Sequence, residues 1–115
     1  MKNLDMECAT LGSKLSQHGD KLLTDALSVL EEQGVYALFL YLQYKSGGRP
    51  VIDACRTFLR DQLPGGWESG GEVVQAVQGL ANDLDRLLLA RDLLRQALIY
   101  GRYHAKAREN SGGGA

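Results

Sequence analysis

Four cations near the end of the chain form the clearest chemical pattern in the sequence. Arg91, Arg95, Arg102 and Lys106 are separated by four, seven and four residues. On a helix that advances about 100° per residue, all four fall within an arc of about 60°. The row then rises about 22 Å along the helix axis. A straight line of guanidinium and ammonium groups of that length passes several phosphates of a nucleic-acid backbone. Such groups read charge and not base identity. The same row also suits a solvated helix face, and cations favour helix C-termini because of the helix dipole. Leu89, Ala90, Leu93, Leu94, Ala97, Leu98 and Tyr100 fill much of the other side of the wheel, giving the helix a face to bury. His104 falls on that apolar side and is expected in the core or between helices. Tyr100 and Tyr103 are expected to pack. Trp67, in the glycine-rich run LPGGWESGG, suits a mobile contact or a lid on the domain.

Other chemistry is hard to find. The chain has no phosphate-binding loop, no paired-cysteine metal spacing and no H-E-x-x-H pattern. Its two histidines, His18 and His104, stand in no ligand pattern. Asp83 and Asp85 are two residues apart, so a helix points them in different directions, and they are expected as a charged first turn. Cys55 projects from an apolar segment with Arg56 and Arg60 as its basic neighbours, too little to activate a thiol. The expectation is a non-catalytic protein without cofactor or metal.

The bulk properties fit one compact domain. The chain has 115 residues, 44% apolar and 23% charged, the proportions of an ordinary folded domain. A net charge of −1 gives no sign of nucleic acid, so any such sign lies in the distribution of charge. Two cysteines, Cys8 and Cys55, make no disulfide framework and are expected to be reduced thiols. The N-terminal MKNLDMECATLG carries acids where a signal peptide needs an apolar run. The longest apolar stretch, VYALFLYL, has eight residues, far short of a membrane span. A cytoplasmic protein with no membrane attachment is expected.

The elements that position the cations are helical. KSGGRP (45–50) and LPGGWESGG (63–71) are the main breaks, and HGD (18–20) is a weaker one. Residues 3–17 suit a first, weaker helix. In 20–33, Leu22, Leu23, Ala26, Leu27, Val29 and Leu30 form one apolar stripe, with Asp20 placed as N-cap. Gly34 either ends this helix or lies inside a longer one. Segment 35–42 is apolar on all sides and is expected as the central helix, a buried strand being the rival reading. Segment 51–62 turns Val51, Ile52, Cys55, Phe58 and Leu59 inward. Residues 72–109 read as one long helical region, in which Gly79 and Gly101 mark bends or close approaches of another helix. The expected fold is all-α: a compact four- to five-helix bundle with a long C-terminal helix. It is read as a single helical domain over 1–110 with a flexible glycine-rich tail at 111–115. Leu27, Leu30, Leu38, Leu42, Phe58, Leu94 and Leu98 are expected to be buried.

Two stretches carry a resemblance. SVLEEQGVYALFLYLQYK (28–45) resembles the helix with the NGL…LAFL..K pattern in the small subunit of Cmr-type (type III-B) CRISPR effector complexes. LLLARDLLRQALIYGRYHAKA (87–107) is similar to the last helix of that family, which runs through leucines into a basic and aromatic end. The order of helices and breaks over about 20–107 also fits. Gln33 stands where the family tends to have asparagine, and Tyr100 where it often has tryptophan. The resemblance implies a non-catalytic helical subunit, stacked in several copies along a guide RNA–target RNA duplex. Its implied partners are the repeated backbone subunit, the large subunit and RNA held without sequence readout. It also implies that acids such as Asp5, Glu7, Glu31 and Glu32 meet neighbouring subunits. The four cations come from the helical wheel and not from a family motif. The reading from another class is a stand-alone helical module that binds a protein partner through an apolar groove.

Overall fold

In the computed structural model, residues 3–63, 73–80 and 82–113 are described. Trp67 and most of the 63–71 break lie outside them. The described residues form six α-helices and no strand: α1 (Leu4–Leu15), α2 (Asp20–Gln33), α3 (Val35–Tyr44), α4 (Gly48–Gln62), α5 (Val73–Leu80) and α6 (Leu84–Gly113). The all-α bundle with a long last helix is as the periodicity predicts. The seven residues expected inside are all buried, as are Val51, Ile52, Cys55 and Leu59 of α4.

The helix ends follow local chemistry. Asn3 caps α1, its Oδ1 accepting from the Met6 N–H at 3.3 Å. Gly34, at φ 99°, separates α2 from α3 in a conformation that L side chains rarely adopt. So the two helices are distinct, and the strand reading of 35–42 falls. The α4 helix starts three residues earlier than the sequence suggests, at Gly48. Pro50 fits that first turn because the leading N–H groups of a helix have no intrahelical acceptor.

Three expectations need correction. The long region expected over 72–109 holds two helices, α5 and α6, so the described residues form six helices where four or five were expected. The break includes Asn82 and Asp83, and the Asp83 carboxylate accepts from the Arg86 N–H at 3.2 Å and so caps α6. A capping aspartate starts a helix more readily than it sits inside one. Asp20 is not the N-cap of α2: that position is Gly19, and Asp20 is the first helical residue. The α3 helix is not enclosed on all sides. Val35, Leu38, Phe39 and Leu42 are buried, whereas Tyr36, Leu40 and Tyr44 are exposed. A bundle of this size has too few neighbouring helices to surround every face of α3.

The long helix α6 packs mainly on α1 and α2. With α1 the contacts climb both helices in the same sense, from Cys8 against Leu93 to Gly12 against Gly101. With α2 they run in opposite senses, Glu31 lying by Arg95 and Asp20 by Arg102. The α6 helix is thus held on two flanks, and the α2 flank is the one that carries the cations.

Candidate nucleic-acid interface

The apolar line of α6 runs through Ala90, Leu94, Ala97, Leu98, Gly101 and Ala105, all buried. It fixes the rotation of the helix and sets the basic row beside α2. Arg91 is half-buried, and its Nη2 donates to the Glu31 carbonyl oxygen at 3.2 Å. Arg95 is exposed, its Nε lying 3.9 Å from Glu31 Oε2. Arg102 is half-buried and donates from Nε to Asp20 Oδ1 at 3.5 Å. Lys106 is exposed.

The two ion pairs, Arg95–Glu31 and Arg102–Asp20, are long and partly solvated. Each is worth on the order of 0–1 kcal/mol. With the Arg91 hydrogen bond, they nevertheless show what the wheel could not: three of the four cations touch α2. The row is neither a free basic line nor a purely solvated face. It is a cationic edge beside the Asp20 and Glu31 carboxylates, in which Arg95 and Lys106 are the exposed members.

At the Lys106 end lies a groove of about 450 Å³ lined by Leu27, Glu31, Ile99, Arg102, Tyr103 and Lys106. Tyr103 is 66% exposed, against the expectation that it packs. His104 is exposed too, not in the core. Near this end the side of α6 facing the bundle narrows to Gly101 and Ala105, so residues flanking that line emerge into solvent. Tyr100 does pack. It is half-buried against the core, and its hydroxyl donates to Asp5 Oδ1 at 2.6 Å. That hydrogen bond raises the Tyr100 pKa above its ordinary value, with burial adding to it.

Both cysteines lie in the core. Cys8 is buried, its Sγ–H donating to the Leu93 carbonyl at 3.5 Å. Burial, helped by the charges of Asp5 and Glu7, pushes this thiol up to about 11. Burial pushes Cys55 up to about 12. Among the described residues, no cluster of three or more His, Cys, Asp or Glu side chains is placed to hold a metal ion. No helix among them is long and apolar enough to cross a membrane.

A second, apolar groove of about 340 Å³ lies between α3, α5 and α6, where Val35, Tyr36, Val77, Leu87, Leu88 and Arg91 are among its lining residues. Of these, Tyr36 and Leu88 are exposed.

Sequence reasoning found the four cations but missed Tyr103, Asp20 and Glu31 as their companions. The tyrosine was legible as one of a pair flanking a basic run. The acids lie sixty residues or more from the cations they meet, so no single-helix pattern reveals them. No protein-family model, curated protein or solved structure matches this chain.

Proposed function

We propose that the chain is a non-catalytic small subunit of a type III CRISPR ribonucleoprotein effector, of Cmr-type character. In this reading it stacks in several copies along the guide–target duplex and touches RNA backbone without reading sequence. The observation that carries the reading is the Arg91–Arg95–Arg102–Lys106 row along one edge of α6, ending in an open groove with an exposed tyrosine. The resemblance of 28–45 and 87–107 to that family supports it. Arg91, Arg95, Arg102 and Lys106 are the proposed contacts to phosphate. Copies of this chain, the repeated backbone subunit and the large subunit are the proposed protein partners, and the cytoplasm is the proposed location.

The test is binding of unrelated single-stranded RNA sequences to the full chain as salt is varied. Affinity that falls with salt and is indifferent to sequence supports the reading. Binding that is absent at low salt overturns it.

A second reading has its own observation. Exposed Tyr36 on α3 and Leu88 on α6 line an apolar groove, and clustered exposed apolar residues mark contact surfaces. A helical module that binds a protein partner there, with no nucleic-acid role, predicts association that salt does not weaken.

A further inference from the structure

The groove at the end of the basic row has more chemistry than phosphate contact requires. Its polarity follows from the antiparallel packing of α2 on α6. Glu31, by Arg95, marks one end. Leu27 and Ile99 contribute apolar side chains, and Arg102, Tyr103 and Lys106 complete the lining. Phosphate alone is held by cations and N–H donors. It has no use for two aliphatic side chains, and an exposed tyrosine ring adds nothing to a point-charge contact. An unpaired nucleotide uses all of them. Its base is flat and largely apolar on both faces and stacks on aromatic rings. Its phosphate takes cations, and an acid nearby repels it.

We infer that the α2–α6 groove binds one unpaired nucleotide of a single RNA strand, with the base against Tyr103, Leu27 and Ile99 and its phosphate at Arg102 and Lys106. The inference rests on the RNA reading above and adds a base-binding site to it. A carboxylate stands near each end, Glu31 by Arg95 and Asp20 by Arg102, so the exposed Lys106 carries the larger share of the phosphate contact. Arg102 bonds Asp20 through Nε, and a guanidinium has further N–H donors for a phosphate. The volume of about 450 Å³ leaves room for a nucleotide. Every base has a stacking face, so the groove is tolerant of sequence, in keeping with a subunit that does not read it.

The experiment compares a short labelled RNA strand with an abasic strand of the same length and charge. Fluorescence anisotropy reads their binding to the full chain at one low salt concentration. The variants are Tyr103→Ala, Tyr103→Phe and Lys106→Gln. All three change exposed side chains, and circular dichroism checks that each remains helical. The wild type is expected to prefer the base-bearing strand by about 5- to 150-fold, the range that one stacked base supports. Tyr103→Ala should remove that preference and leave abasic binding unchanged. Tyr103→Phe should keep it. Lys106→Gln should weaken both strands alike. Equal binding of the two strands by the wild type overturns the nucleotide site and leaves the backbone reading standing. Binding of neither strand overturns both. Competition by a free nucleoside monophosphate at strand-like concentrations overturns the assignment to a strand.

Discussion

Gly12 of α1 and Gly101 of α6 lie backbone to backbone where the two helices cross. A Cβ on Gly12 would stand 2.8 Å from the Gly101 nitrogen and 2.6 Å from Tyr100 Cβ. One on Gly101 would stand 3.3 Å from the Gly12 carbonyl oxygen and 3.0 Å from Leu23 Cδ1. This approach seats α6 against α1 and brings Tyr100 to Asp5. It therefore fixes the rotation that sets the basic row beside α2.

Gly12→Ala should destabilise the fold by about 1–3 kcal/mol, the usual cost of overpacking. Its three nearest neighbours include backbone atoms, which cannot turn aside. Gly101→Ala should cost less, because its tightest neighbour is the end of a leucine side chain. Chemical denaturation of both variants checks the order. Equal stability of Gly12→Ala and wild type would show that the crossing is looser than these distances imply.

The two thiols should be silent in the native protein. Both are buried, and both are raised from an ordinary 9.0, Cys8 to about 11 and Cys55 to about 12. A thiol reagent at pH 8 should label neither until denaturant is added. Stability has a matching pH dependence. The folded state holds these protons more tightly, so their contribution is fully present below pH 9. It is lost as pH rises from there through 11 to 12. Denaturation midpoints that stay constant across that window would contradict this.

The contacts between the basic row and α2 should be weak. A double-mutant cycle on Asp20 and Arg102, using Asp20→Asn and Arg102→Gln, is expected to return about 0.2–1 kcal/mol. Both side chains are partly solvated, at 26% and 32% exposure. A coupling of several kcal/mol would mean that Arg102 is committed to the fold and has little left for a ligand.

Much of the fold was legible because its signals are local. Leu23, Ala26, Leu27 and Leu30 face the core at helical spacing, and α4 turns in the five residues that its pattern marks. Gly101 was readable as a close approach, but its counterpart Gly12 was not. A glycine in a weak helix announces nothing until the crossing helix is known. The break at Asn82 and Asp83 was half legible: the acids read as a charged first turn, which Asp85 is, but the apolar periodicity continues on both sides and joined the two helices. The exposure of His104 and Tyr103 depends on where the bundle stops covering α6. A helical wheel gives direction but not the extent of the neighbours. The cationic row was legible on the wheel, whereas the Asp20 and Glu31 carboxylates beside it come from long-range packing.

Affinity for single-stranded RNA at two salt concentrations tests the central claim most directly. It is measured for the wild-type chain and for Arg95→Gln, Arg102→Gln and Lys106→Gln combined. These changes remove charge without reversing it, so they bring no repulsion against Glu31 or Asp20. Circular dichroism before and after checks that the helices persist. The account predicts weaker binding of the variant to every RNA sequence tried. It also predicts a salt dependence shallower by about 0.7 in logarithmic slope for each phosphate that the variant no longer neutralises. A variant that remains helical and binds with wild-type affinity and wild-type slope would contradict it, and would leave the basic row as a solvated edge of α6.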